Sequence, residues 1–170
     1  MKYLLAIAFL LFANLSVAQS DTDNKTPSYP DAPDWTLQTQ SGETLSYDDF
    51  RGKPLFIHFW GTWCPYCKKL HPGLERVRAK YEAQGLQVLG ISVNEPIGAN
   101  PAKVLKERGI HFTTLVEGDD VALEAFGVYG TPTTLFISPD GKILGSTMES
   151  NPDDPRFDKI AQYLVNLPRP

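Results

Sequence analysis

The sequence predicts one α/β domain in which strands and helices alternate along the chain. Short apolar runs typical of buried strands recur between stretches with helical periodicity, and Gly, Pro or Asp residues separate the two kinds of segment. A chain with this alternation folds as a sheet with helices packed on its faces. We therefore expect an α/β sandwich of about 135 residues.

The N-terminus has the plan of a secretory signal peptide. Lys2 supplies a basic start, residues 3–12 are apolar, and the small residues 16–18 offer a cleavage site. A retained membrane anchor is the alternative, but Asn14 ends the apolar run well short of the roughly 20 residues that a spanning helix needs. We predict that residues 1–18 are a signal peptide. The mature protein would then be exported to the periplasm or elsewhere in the bacterial cell envelope, without stable membrane insertion.

The composition excludes one class of partner. The chain has 170 residues, of which 16 are Lys or Arg and 20 are Asp or Glu, and its formal charge is −4 at neutral pH. A protein that binds DNA or RNA needs a basic surface to neutralise phosphates. We therefore expect no nucleic acid partner.

The first elements of the domain follow a polar segment. Residues 19–34 are polar and contain several prolines, and we predict that they form a flexible segment before a domain over residues 35–167. Alternating apolar and polar residues around Ser41-Gly42 are typical of a β-hairpin. The apolar runs at 53–60 and 86–93 predict two buried strands.

A helix is predicted to begin at Cys64, between these two strands. Its apolar residues recur at spacings of four, three and four on one face, and they are Leu70, Leu74, Val77 and Tyr81. Gly85 is expected to end it. The remaining predicted elements are a helix over 101–109, a strand over 111–117, a short helix over 120–127, a strand over 133–138, a turn at 139–141, a strand over 142–147, and a last helix that Asp154 caps and Pro155 begins.

The two cysteines of the chain stand in one CxxC motif, at Cys64 and Cys67. A disulfide between residues three apart closes too short a loop to constrain the unfolded chain, so a structural staple is not expected. Cys64 lies nearest the N-terminus of the predicted helix, where unpaired N–H groups and the helix dipole stabilise a thiolate and lower the thiol pKa. Cys67 falls one turn inside, within bridging reach. We predict that Cys64 attacks a substrate disulfide and that Cys67 resolves the mixed disulfide.

Three separated segments resemble the thioredoxin superfamily, and in particular exported thiol-disulfide oxidoreductases of the TlpA/ResA type. They are FWGTWCPYC at 59–67, Pro72, and GVYGTPTTLFISPDGKI at 127–143. The resemblance covers about residues 33–167. It implies a thioredoxin-like three-layer α/β/α sandwich with an N-terminal β-hairpin extension. It also implies a cis bond before Pro132, which faces the cysteine pair in the family.

The same resemblance implies a function. Such proteins exchange disulfides with protein substrates in the cell envelope, so the expected partners are protein thiols or disulfides and a redox partner protein, without a cofactor. Leu70 and Thr133 depart from the pattern of the cytochrome c maturation reductases, which commonly have glutamate at both positions. The substrate and the direction of electron flow therefore stay open.

Seven further residues are candidates for the site. Five are expected to bind substrate, namely Trp63, Pro65, Tyr66, Thr131 and Pro132. His58 stands six residues before Cys64, where thioredoxins bury an acid, and could accept the proton of Cys67, although a lone histidine in an apolar strand is also typical of a core. Glu95, after a predicted strand, is a second candidate for proton transfer. His71 and His111 are predicted to be surface or strand-start residues without a role.

Two other functions are considered. A metal-binding or carrier module could use the CxxC thiols, but tetrahedral zinc needs four ligands and the sequence has no second CxxC and no HxxxH pair. We therefore expect no metal.

A peroxiredoxin-like peroxidase would have a proline seven residues and a threonine three residues before its reactive cysteine. Ile57 and Gly61 occupy those positions here.

Overall fold

The computed structural model describes residues 28–170. The predicted signal peptide and most of the predicted flexible segment lie outside these residues. The strands are β1 (Thr36–Thr39), β2 (Thr44–Ser46), β3 (Leu55–Trp60), β4 (Gln87–Ser92), β5 (Thr113–Val116), β6 (Thr133–Ile137) and β7 (Ile143–Thr147), and the α-helices are α1 (Pro65–Tyr81), α2 (Pro101–Glu107) and α3 (Pro155–Val165).

The strands of the described residues form one mixed sheet in the order β2-β1-β5-β4-β3-β6-β7. β3 and β5 both run parallel to the central β4, whereas the hairpin β1–β2 and the strands β6 and β7 join in antiparallel pairs. The predicted hairpin therefore extends one edge of the sheet. The centre of the sheet is β4 and β3, and β3 leads directly to the CxxC motif.

Side chains of β3 alternate between two cores, as the period of a strand requires. Phe56 and Trp60 pack under α1 and α3, whereas Ile57 and its neighbours on that side face the opposite layer. That layer contains Trp35, a 3₁₀ turn (Tyr47–Phe50) and a single π-helical turn (Val121–Ala125). The predicted three-layer sandwich is confirmed, and short turns replace full helices in its second helical layer.

The folded unit begins before residue 35, where we placed the start of the domain. The amide of Ala32 donates to the Gly141 carbonyl at 2.8 Å, and that of Ile143 donates to the Pro30 carbonyl at 2.9 Å. Ala32 is buried. Residues 30–32 thus pair with the chain that enters β7, and they belong to the ordered domain although the sequence analysis assigned them to a flexible segment.

Helix α1 follows the predicted register. Cys64 is its N-cap and Pro65 its first residue, and a 3₁₀ turn (Glu82–Gln84) continues it as far as Gly85, which has φ +94°. The four apolar residues predicted to share one face are all buried, namely Leu70, Leu74, Val77 and Tyr81. This face fixes the helix on the sheet and thereby fixes where its N-terminus lies.

A close backbone approach between α1 and the segment before α3 yields a stability prediction. A Cβ added at Gly73 would lie 2.3 Å from the carbonyl oxygen of Pro152. Gly73→Ala should therefore lower the free energy of unfolding by about 1–3 kcal/mol, because backbone must shift, even though alanine favours a helix over glycine by about 1 kcal/mol. Denaturant unfolding measures this change. Gly145→Ala is the control, because a Cβ there meets no atom within 4 Å. A Gly73→Ala protein as stable as the control would contradict the prediction.

Candidate active site

Cys64 and Cys67 form a disulfide at the start of α1, with their Cα atoms 5.4 Å apart. The Cys64 sulfur also accepts a hydrogen bond from the backbone N–H of Cys67 at 3.1 Å. Cys64 is 2% exposed and Cys67 is 0% exposed. Both cysteines are therefore buried, with Cys64 at the N-cap of the helix and Cys67 inside its first turn.

The loop between β3 and α1 has little freedom. The Cys64 amide donates to the Gly61 carbonyl at 3.0 Å. The indole Nε1 of Trp63 donates to the Val93 carbonyl at 3.2 Å. A Cβ at Gly61 would lie 2.4 Å from that Nε1 atom, so position 61 needs glycine for the indole to lie there. The loop thus presents Trp63 beside the disulfide with its ring 49% exposed.

Glu95 holds the same loop from the end of β4. One carboxylate oxygen accepts from the Thr62 amide at 2.8 Å, and the other accepts from the Thr62 hydroxyl. Glu95 is predicted to lie near the start of the helix, and its carboxylate contacts Thr62, two residues before Cys64. Its observed contacts are those of a residue that positions the loop.

Pro132 directly precedes β6, at the end of the sheet where β3 leads into the Cys64 loop. The Thr131–Pro132 peptide bond is cis, as the resemblance implies. Thr133, the next residue, pairs with Phe59 of β3, and its hydroxyl donates to the Gly130 carbonyl at 2.7 Å. Pro132 itself is buried. The strand pairing therefore brings the Pro132 segment and the CxxC segment to the same end of the sheet.

A groove of about 250 Å³ runs beside the disulfide loop, and we call it the docking groove. Trp63 and Thr131, both predicted to bind substrate, line it. The other lining residues are Val93, Asn94, Asp119, Ala122, Leu123, Val128, Tyr129 and Gly130. Pro65 and Tyr66 are exposed at the start of α1 and do not line the groove.

His58 lies on the α1 side of β3 and is fully buried. Its Nδ1 atom is 3.0 Å from the Thr134 hydroxyl, with which it shares a hydrogen bond. Burial, followed by the charge of neighbouring His71, keeps the pKa of His58 well below its usual value. The ring is therefore neutral at physiological pH.

His71, predicted to lie on the surface, is instead fully buried, and the prediction was wrong. Its ring packs against Trp60, His58 and Phe112, at centroid distances of 4.8, 5.4 and 5.6 Å. Burial, followed by the positive charges of Arg108 and Lys68, lowers the pKa of His71 to about 3. A signal was present in the sequence, because Leu70, His71 and Leu74 follow Cys67 at helical spacings of three, four and seven. His111, in contrast, is exposed and bonds to Glu75 at 3.0 Å.

Residues 28–170 hold no group of three or more His, Cys, Asp or Glu side chains arranged to bind a metal ion. No helix within the same range is long and apolar enough to cross a bilayer.

The protein has the thioredoxin fold. Three features define it: the order of strands in the sheet, the bridged CxxC pair at the start of α1, and the cis-proline segment at the same end of the sheet. More particularly, the chain belongs to the AhpC/TSA family, whose model matches residues 30–145. The thioredoxin-superfamily resemblance is thereby confirmed.

Named relatives share the fold and part of the sequence. Thiol-disulfide oxidoreductase ResA of Bacillus subtilis is 33% identical over 114 residues, which are 67% of this chain and 63% of that protein. The match thus spans a little less than two thirds of that relative. A Chlorobium tepidum protein assigned as thiol:disulfide interchange protein DsbE has a TM-score of 0.73 at 26% identity, over 82% of this chain and 99% of that one. A secreted Mycobacterium tuberculosis disulfide oxidoreductase homologous to E. coli DsbE has a TM-score of 0.63 at 27% identity, over 76% and 96% of the two chains.

The buried histidines predict an acid-sensitive stability. Below about pH 6.5 the unfolded chain takes up protons on both rings that the folded protein does not, so stability falls as pH falls. For His71, with its folded-state pKa of about 3, the loss between about pH 7 and pH 5 is roughly 2 kcal/mol. Denaturant unfolding at the two pH values measures it.

His71→Phe should reduce this pH-dependent loss by about the same amount, because phenylalanine does not titrate. His111→Gln should keep the full loss, since the His111 side chain is 70% exposed. Equal losses in the wild type and in His71→Phe would contradict the assignment of a neutral, buried His71.

Proposed function

We propose that this protein is a thiol-disulfide oxidoreductase that exchanges disulfides with protein substrates through Cys64 and Cys67. The observation that carries the proposal is the Cys64–Cys67 bridge across the first turn of α1. The two sulfurs lie where one can be attacked from outside and the other can close the bridge again. A disulfide between residues three apart gives little stability to the fold, so its use is chemical.

Cys64 is the nucleophile of this proposal. The backbone N–H of Cys67 already points at its sulfur, and the positive end of the helix dipole lies at the same position. Lys68 and Lys69 follow in the same turn and add positive charge. In the reduced protein, the Cys64 thiolate attacks one sulfur of a substrate disulfide, and the other substrate sulfur leaves as a thiolate.

Cys67 is the resolving cysteine. Its thiolate attacks the Cys64 sulfur of the mixed disulfide, restores the Cys64–Cys67 bridge and releases the second substrate thiolate. The substrate gains two electrons and the protein loses two. The reverse sequence oxidises a substrate dithiol by the same steps. Both cysteines are buried, so position separates the two roles: Cys64 is the N-cap of α1, whereas Cys67 lies inside the first turn.

The docking groove is the substrate surface of the proposal. Trp63, Leu123 and Tyr129 expose large apolar area on it, and these side chains are 49%, 51% and 87% exposed. Pro132 has no backbone N–H and so cannot donate to a neighbouring strand. The backbone of Thr131 beside it can pair with an extended segment of substrate. We propose that an extended stretch of substrate protein lies along Thr131 and Pro132. Pro65 and Tyr66 would contact the substrate from the helix side.

The site of action we propose is the cell envelope. The N-terminal 18 residues have the pattern of a signal peptide, and the Mycobacterium tuberculosis relative is described as secreted. An exported exchange protein needs a redox partner protein that resets its cysteine pair. His58 stays a candidate for proton transfer on the α1 side of β3, where it packs against His71, whereas Glu95 supports the loop through Thr62.

The peroxidase alternative fits the structure less well. Its threonine would stand at position 61, where even a Cβ meets the Trp63 ring at 2.4 Å. Its proline would stand at position 57, where Ile57 packs into the core layer away from α1. The metal-carrier alternative would need further ligands near the thiols, and residues 28–170 offer no such group.

A trapping experiment tests the proposed roles. Cys67→Ala keeps the attacking thiol and removes the resolving one, so mixed disulfides with envelope proteins should accumulate when the full chain is exported. Cys64→Ala is the matched control and should trap almost none, since its remaining thiol lies inside the first turn of α1 and lacks the stabilisation of the N-cap position. Alkylated samples on non-reducing gels measure the trapped complexes. Equal trapping by the two variants would show that the roles are wrongly assigned.

A further inference from the structure

A pair of buried imidazoles lies under α1, and the mechanism above uses only one of them. Within residues 28–170, the buried imidazole nitrogens without a hydrogen-bond partner are Nε2 of His58 and both Nδ1 and Nε2 of His71. Both side chains are fully buried. A buried polar atom without a partner lowers the stability of the fold, so their retention needs an explanation.

His71 is placed to meet the resolving cysteine. Both residues belong to α1, and His71 follows Cys67 by four positions, which puts the two side chains on one face as neighbours about 5–6 Å apart at Cβ. Both side chains are 0% exposed and face the sheet. Water cannot reach Cys67 freely, so its proton needs an acceptor inside the protein.

We propose that His71 accepts the proton of Cys67 when Cys67 resolves the mixed disulfide. The inference rests on the proposed thiol-disulfide exchange, and it names the base for its second step. The Cys67 S–H bond breaks and its proton passes to a ring nitrogen of His71. The resulting thiolate attacks Cys64, and the second substrate thiolate leaves. The imidazolium then gives its proton to this leaving thiolate or to water, so no other reactant is needed.

The charges around His71 favour a ring that is neutral at rest and protonated only while Cys67 reacts. Lys68 of α1 and Arg108, just after α2, are the positive groups that bear on it, and His58 of β3 is neutral. Burial first, and then these two positive charges, hold the pKa of His71 low, so the ring is free of a proton at rest. A thiolate at Cys67 adds a negative charge one turn away, and an opposite charge at this distance raises the pKa of an imidazole. Proton transfer and attack are thereby coupled.

The His58 ring packs edge-to-face against this base, with the two ring centroids 5.4 Å apart. Among the described rings packed on His71, which are those of Trp60, Phe112 and His58, only His58 has a nitrogen without a partner, because Trp60 Nε1 donates to the Thr114 hydroxyl at 3.0 Å. The bond between His58 Nδ1 and Thr134 fixes the orientation of the His58 ring.

Single-turnover exchange separates the two steps. The reduced wild-type protein, mixed with excess oxidised glutathione and quenched in acid, gives the amounts of mixed disulfide and of Cys64–Cys67 disulfide by mass spectrometry. In His71→Phe near pH 7 we expect resolution to slow by about a hundredfold, with accumulation of the mixed disulfide. The rate of attack by Cys64 should stay unchanged. Resolution in the variant should then rise about tenfold per pH unit, as solvent deprotonation requires.

Two control variants separate a failure of this inference from a failure of the proposed function. His71→Gln removes the base with a polar side chain and should show the same slow resolution, whereas His111→Gln should resemble the wild type. Folded His71 variants that resolve at the wild-type rate with the same pH profile would overturn the inference while the proposed function stands. A wild type that forms neither the mixed disulfide nor the Cys64–Cys67 disulfide would overturn the proposed function itself.

The wild type supplies a test that depends on no variant. Its resolution rate should change little between about pH 6 and pH 8, because an internal base removes the proton. A rise of about tenfold per pH unit over this range would overturn the role of His71.

Discussion

The hydrogen bond from the Cys67 amide to the Cys64 sulfur is the interaction on which the site depends. It forms only because Cys64 caps α1, and α1 lies where it does because its apolar face is buried against the sheet. The position of Cys64 is further restrained by the end of β3, by the loop over residues 61–63 and by the hydrogen bonds between Glu95 and Thr62. The same arrangement exposes Trp63 beside the pair, so one capped helix provides both the activated sulfur at its N-cap and the second sulfur within its first turn.

A second constraint lies on the inner side of that helix. The rings of His58 and His71 share an apolar enclosure with Trp60 and Phe112, and both are kept neutral by burial. A core built only for stability would fill this space with apolar side chains, because each orphaned buried nitrogen costs free energy. Perturbed titratable groups concentrate at functional sites. The place of His71 four residues after Cys67 on α1 connects the stability cost to the proposed exchange chemistry.

Much of the architecture could be predicted because it depends on local pattern. The face of α1, the cap at Cys64 and the two central strands follow from spacing and turn residues, and the cis bond before Pro132 followed from the family resemblance. What was missed depends on distant contacts. Residues 30–32 are ordered by pairing with the chain near Gly141, more than a hundred residues away. His71 was assigned to the surface from its residue type, although its spacing from Cys67 and Leu74 placed it on the buried face of the helix.

The central claim is that the start of α1 activates Cys64 in preference to Cys67. Thiolate absorbance near 240 nm, followed against pH in Cys67→Ser, reports Cys64 alone, and the Cys64→Ser protein reports Cys67. The account predicts that the Cys64 midpoint lies below the value of about 8.5 for a free thiol and that the Cys67 midpoint lies above that of Cys64. A Cys64 midpoint at or above about 8.5 would contradict it.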